Sequence, residues 1–217
     1  MNNKAKIGEK KETRYAFIDS QNLNLGVKSQ GWKLDFFRFR IYLKDKYHVE
    51  KAFLFMGFIH GNEKLYSFLE KAGYIIIFKP ILEIRKNKQL NIKGNVDAEL
   101  VLHTMIEYPN YDKAVIVSGD GDFHCLVEYL EQKNKLLRII IPNRKKYSQL
   151  FSKFNPYLAF VNNLREKLEA KNDKKREASP RHESRQLSSH RDIKILTQGH
   201  KKVKGNKKTG IHGRSKP

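Results

Sequence analysis

Four aspartates stand where apolar runs end or amphipathic runs begin. Asp19 closes Tyr15-Ala-Phe-Ile-Asp19, Asp97 opens a helix-like run, and Asp120 and Asp122 flank Gly121 in Ser118-Gly-Asp-Gly-Asp-Phe123. Carboxylates gathered at one point repel one another, and a divalent cation is the usual remedy. Ligands that are all oxygen select hard ions, so Mg²⁺ or Mn²⁺ is the expected cofactor rather than zinc. The chain around them is strongly basic, with 44 Lys and Arg against 23 Asp and Glu. A focused acidic pocket inside a surface that attracts polyanions points to metal-assisted hydrolysis of a nucleic-acid backbone.

Each of these residues also has a plainer reading. Asp19 before Ser20-Gln21-Asn22 suits a turn or a helix cap, Asp97 suits the positive end of a helix, and Asp122 suits an N-cap. Capping accounts poorly for Asp19, because a charge at the end of an apolar strand is costly to desolvate without a partner, and it leaves Asp120 without a role beside Asp122. Asn22 reads equally as a neutral oxygen ligand or phosphate contact and as an Asx turn. Lys93, four residues before Asp97, and Arg144, Lys145 and Lys146 are phosphate-contact candidates whose simplest alternative is solvated charge. His103 and His124 fall in helical runs near the acids and read first as packed or surface histidines. Phe36, Phe37 and Phe39 cluster with Leu34, Ile41 and Leu43, which favours a core role over base stacking.

The elements that must position these groups alternate. Tyr15–Asp19, Lys51–Phe58, Tyr74–Phe78, Ala114–Ser118 and Leu136–Ile141 are short and apolar on both faces, as parallel strands covered by helices on each side are. Leu34–Lys46, Asn62–Ala72, Val96–Glu107 and Phe123–Lys133 carry apolar residues at spacings of three and four, with stops at Gly73, Pro109 and Asn134. The pattern predicts an α/β fold, a three-layer α/β/α sandwich around a mostly parallel central sheet. In such a sheet ligands bind beyond the carboxyl ends of the strands where the strand order reverses, and Asp19, Asp120 and Asp122 lie just past two such ends.

Length suits one domain over residues 14–168, preceded by a short disordered leader (1–13) and followed by a tail (169–217). From Arg165 to Pro217 there are 17 Lys and Arg against six Asp and Glu and no aromatic residue. Such a segment cannot bury enough apolar surface to fold, so it is expected to be a disordered basic arm, either binding RNA (and DNA non-specifically) or merely solvated. The longest apolar stretch, Ala52–Ile59, is far short of the roughly 20 residues of a spanning helix, and no apolar signal core follows Met1. With a single cysteine, Cys125, read as a small buried filler, the chain suits the cytoplasm and no membrane. There is no Gly-x-x-x-x-Gly-Lys-Ser/Thr phosphate loop and no Gly-x-Ser-x-Gly elbow, which removes support for nucleoside-triphosphate hydrolysis and serine catalysis.

Phe17-Ile-Asp-Ser-Gln-Asn22, Lys93-Gly-Asn-Val-Asp97 and Val115-Ile-Val-Ser-Gly-Asp-Gly-Asp-Phe123 resemble the three signatures of the NYN domain, in the LabA-like branch of the PIN-like nuclease superfamily. The resemblance spans about Tyr15 to Asn162, and its third signature is the most specific. It implies a PIN-like sandwich and Mg²⁺- or Mn²⁺-dependent hydrolysis of RNA that leaves a 5′-phosphate and a 3′-hydroxyl. It also implies that Asp19, Asp97, Asp120 and Asp122 form the catalytic, metal-binding set, supported by Asn22 and Ser118. One departure is visible, since many such domains carry a further Asp on the helix after the second signature, where this chain has His103. That substitution bears on metal stoichiometry more than on the site itself. A second reading is an RNA-binding or assembly module that keeps an unused acidic centre, and self-association is open under either. A phosphohydrolase of the haloacid dehalogenase type ranks low, because Asp19 is followed by Ser20-Gln21 rather than by the x-Asp of an Asp-x-Asp pattern.

Overall fold

A computed structural model describes residues 11–79, 82–86, 89–93 and 96–171, with backbone alone for 82–86 and 89–93. The expected leader up to residue 10 and the basic tail from residue 172 lie outside the described residues.

The chain runs β1 (Arg14–Asp19), α1 (Ser20–Lys28), α2 (Phe36–Tyr47), β2 (Lys51–Gly57), α3 (Glu63–Lys71), β3 (Tyr74–Lys79), β4 (Leu82–Lys86), β5 (Gln89–Lys93), α4 (Asp97–Ile106), β6 (Lys113–Val117), α5 (His124–Gln132), β7 (Leu136–Ile141), β8 (Leu158–Phe160) and α6 (Arg165–Leu168). Six strands form one sheet in the order β3-β2-β1-β6-β7-β8, and every neighbouring pair is parallel. From β1 the chain builds outward to β2 and β3, then returns to the other side of β1 for β6, β7 and β8. The order therefore reverses between β1 and β6, where Ile18 lies opposite Val117.

Successive side chains on a strand point to opposite faces, and here both faces are covered. Ala16, Ile18, Leu54, Met56, Val115 and Val117 pack with Leu23, Val27, Phe39, Leu43, Leu65 and Leu69 from α1, α2 and α3. Tyr15, Phe17, Phe53, Phe55, Ala114 and Ile116 pack with Leu100, Leu126, Val127 and Leu130 from α4 and α5. This is the expected three-layer sandwich. The five expected strands and four expected helices are present, with ends displaced by no more than two residues. Gly73 (φ +92) follows α3 and Asn134 (φ 54) follows α5, both in the left-handed region that ends helices.

Several expectations need correction. Ser20–Lys28 is a helix, although its apolar positions do not show a clear period, because two of its buried residues are Ser20 and Asn24. The segment between β3 and α4 contributes an antiparallel pair, β4 with β5, outside the main sheet, and β8 adds a short sixth strand. Cys125 is exposed rather than a buried filler. The inward face of α5 is Leu126, Val127 and Leu130, which turns Cys125 outward with Tyr129 one turn further on. Phe39 is fully buried and Phe36 packs at the edge of the core, but Phe37 is 40% exposed.

Candidate metal centre

Because β1 and β6 are adjacent and parallel, Asp19 at the end of one and Ser118 just past the other emerge side by side at the carboxyl edge. Asp19 is 5% exposed. Its Oδ1 accepts from the Asn22 backbone N–H at 2.9 Å, capping α1, and its Oδ2 accepts from the Ser118 hydroxyl at 3.4 Å. Asp19 is thus a helix cap after all, of a helix that the apolar pattern hides. The hydrogen-bond chain continues outward: Ser118 Oγ accepts from the Asp120 N–H at 3.2 Å, and Asp120 Oδ1 accepts from the Asp122 N–H at 3.2 Å. The cap of the short 3-10 turn Gly121–Phe123 is therefore Asp120, not Asp122. Asn22 ties the two loops together by accepting from the Gly119 N–H through Oδ1 at 2.9 Å.

Asp97 opens α4 and shares its first turn with Glu99, where the helix end favours negative charge. Glu99 also pairs with Lys79 at 3.3 Å. One carboxylate oxygen from each of Asp97, Asp120 and Asp122 lies within 4.8 Å of the other two. Asp97 and Asp120 are half-buried and Asp122 is exposed, so the trio opens to solvent. Asp19 is not one of the three; it is more deeply buried than they are and close enough to Asp97 and Asp120 to feel their charge. Burial, followed by the charges of Asp97 and Asp120, pushes its carboxyl up from 3.8 to about 7, against the opposing pull of the Asn22 N–H. Without a cation nearby, this carboxyl therefore takes up its proton as pH falls through about 7, far above the ordinary carboxylate range.

The donor set fits a hard divalent ion: three carboxylates, no sulfur or imidazole, and spacings that metal–oxygen distances of about 2.0–2.6 Å can bridge. Lys93 closes β5, and its side chain lies outside the described part of the structure. His103 packs on the Phe55 ring at 5.8 Å and His124 on the Phe154 ring at 5.7 Å, as packed histidines do.

Sequence reasoning overlooked what holds the acidic loop from its far side. A Cβ at Gly121 would stand 2.3 Å from Ser148 Oγ, and one at Gly119 would stand 3.2 Å from Tyr147 Cβ. The Ser148 N–H donates to the Gly119 carbonyl at 3.0 Å. Both glycines therefore admit the segment after β7 against the loop, and the Gly-Asp-Gly-Asp spacing was the signal for that close approach.

The family model of the NYN domain matches residues 15–159. This chain belongs to the NYN domain family. Asp19, Asn22, Asp97, Ser118, Asp120 and Asp122 all fall within the matched residues of its NYN domain. The chain is 26% identical over 131 residues to the Low amplitude and bright protein LabA of Synechococcus elongatus, a match that covers 57% of this chain and 70% of that one. It also superposes on the crystal structure of a protein of unknown function, VPA0982, from Vibrio parahaemolyticus. That likeness has a TM-score of 0.57 at 22% identity, covers 70% of this chain and 94% of the other, and supports the fold. No helix among the described residues is long and apolar enough to cross a membrane.

Proposed function

We propose that this NYN domain is a metal-dependent ribonuclease that hydrolyses RNA phosphodiester bonds with Mg²⁺ or Mn²⁺, working in the cytoplasm. The observation that carries the reading is the open trio of Asp97, Asp120 and Asp122 at the strand-order reversal of a NYN fold. These three would hold the ion, with Asp19 charging behind them once a cation is near. When bound, the ion supplies Lewis-acid chemistry: it neutralises the anionic phosphate oxygens and makes a water acidic enough to attack near neutral pH. The chain's own residues orient and support. Ser118 links the Asp19 carboxylate to the Asp120 loop, Asn22 fixes that loop at Gly119, and the exposed edge at Asp122 admits substrate. In-line attack of water on phosphorus with cleavage of the P–O3′ bond would leave a 5′-phosphate and a 3′-hydroxyl.

The test is incubation of the purified protein with a mixture of labelled RNAs in Mg²⁺, in Mn²⁺ and in chelator, beside melting curves in the same buffers. Cleavage in metal but not in chelator is expected, together with a rise in Tm of the native state by mass action. Neither a metal-dependent shift nor metal-dependent cleavage, in folded protein, overturns the reading. The second reading, an RNA-binding module acting through the surface of a +21 chain, would then take its place.

A further inference from the structure

The segment that follows β7 carries three consecutive cations, Arg144, Lys145 and Lys146, all exposed. A run of charge alone is ordinarily just solvated surface; this one belongs to a segment that packs against the Gly119–Gly121 loop of the acidic centre. Pro142 packs so closely on α1 that a Cβ at Gly26 would stand 2.5 Å from its Cβ. Asn143, 5% exposed, donates from Nδ2 to Ser29 Oγ at 2.8 Å. Its side-chain oxygen accepts from the Lys145 N–H at 2.9 Å and its carbonyl from the Lys146 N–H at 3.0 Å, an Asx turn that stiffens the loop. The Arg144 N–H donates to Asn162 Oδ1 at 2.9 Å, and its guanidinium lies over the Phe160 ring at 5.2 Å. The loop then returns to the third signature, where the Lys146 carbonyl is 3.6 Å from the place a Cβ would occupy on Gly119.

Among the described residues no acid lies within 4.0 Å of any of the three cations, although the acidic trio is next door. Lys79, Lys153, Arg38 and Arg165, by contrast, are paired with Glu99, Glu128, Asp35 and Glu169. An acidic centre repels the polyanion it must receive, so fixed cations beside it are what would draw phosphates to its edge. A loop held by hydrogen bonds on both sides presents them with little ordering cost.

We propose that Arg144, Lys145 and Lys146 grip phosphates of the polynucleotide flanking the bond presented to Asp97, Asp120 and Asp122; this rests on the nuclease reading of that centre. The experiment uses the full chain with Arg144→Gln, Lys145→Gln and Lys146→Gln combined, and a charge-matched control with Lys44→Gln, Lys46→Gln and Lys71→Gln. Binding of a labelled single-stranded RNA is measured over a salt series in an Asp120→Asn background, where turnover cannot interfere. The loop variant should bind about tenfold more weakly, and its log K against log salt should flatten by about 2, at roughly 0.7 per lost contact on a single strand. The control should stay within about twofold of its parent. In the active background kcat/KM should fall with the affinity while kcat at saturation holds.

If the loop variant loses stability, Lys145→Gln with Lys146→Gln, which keeps Arg144 on Phe160, replaces it. The same oligonucleotide made as DNA should weaken equally, as a phosphate contact requires. Unchanged affinity and salt slope, an equal loss in the control, a loss confined to RNA, or a fall in kcat as large as that in kcat/KM overturns the proposal. The binding arm needs no cleavage, so a protein that fails to cut RNA still decides whether this loop holds phosphate.

Discussion

At the floor of the centre, Asp19 is 5% exposed and both of its oxygens accept hydrogen bonds, from Asn22 and Ser118. At the rim, Asp97 and Asp120 are half-buried and Asp122 is open to solvent, with oxygens crowded within 4.8 Å. The same side chain meets two different physical problems. On the floor the cost is desolvation of a charge, met by hydrogen bonds and, near neutral pH, by a proton. On the rim the cost is repulsion between neighbouring charges, which a cation removes directly. Substitutions on the floor should therefore be read out mainly as pH-dependent stability, and those on the rim mainly as activity.

The largest effect is expected at the rim. Asp120→Asn keeps an oxygen to accept from the Asp122 N–H, so the turn should survive while a ligand charge is lost. We expect RNA cleavage to fall by at least about a hundredfold, the scale of removing one preorganised electrostatic group from an active site. Melting temperature in chelator should be unchanged or raised, and the shift produced by Mg²⁺ or Mn²⁺ smaller than in wild type. Full cleavage by the purified variant would remove the rim from the chemistry.

A next, pH-resolved effect is expected at the floor. Asp19→Asn retains the helix cap, since Asn caps as well as Asp, but it cannot ionise. The wild-type carboxyl titrates at about 7 in the folded chain against 3.8 unfolded, so the folded state holds the extra proton between those values. The stability this group contributes is full below about pH 4 and is lost as pH rises through 7. In chelator, the variant and wild type should melt together near pH 4 and separate by pH 8, the variant higher by on the order of 5 °C. Cleavage should also fall, because the centre loses the charge behind its ligands. A Tm gap independent of pH would erase the distinction between floor and rim.

The smallest effect tests the support that both share. In Gly121→Ala the new Cβ would meet Ser148 Oγ at 2.3 Å and Ser148 Cβ at 2.9 Å, so the Asp120–Asp122 turn or the Ser148 segment must shift. We expect a loss of about 1 kcal/mol by overpacking and a partial loss of cleavage. Adding Ser148→Gly removes both contacts and should recover most of each. Failure of that rescue, in a folded double variant, would show that the turn is not held from that side.

Much of this organisation is legible in the residues. Alternating short apolar runs and helical periods identify the sandwich, because strands buried on both faces are apolar throughout and helices buried on one face repeat at three and four. The strand-end aspartates mark the carboxyl edge for the same reason: a charge at the end of an apolar run has to lie at a border. Less visible is whatever depends on distant neighbours. Ser20 and Asn24 are buried on α1 and disguise its period, Cys125 sits in an apolar run yet faces outward, and Phe37 stays 40% exposed beside a fully buried Phe39.

The division between sequence and tertiary structure is clearest at the four aspartates. Their type and their spacing were enough to suggest a set of oxygen ligands of the kind that suits a hard ion, because ligand chemistry belongs to the side chain itself. Which carboxylate lies on the floor and which three share the rim was decided only by packing β1 against β6 and bringing α4 and the segment after β7 to the same edge. Burial and proximity are properties of the assembled neighbourhood, so an Asp that releases its proton at 3.8 in the unfolded chain holds it to about 7 in this fold.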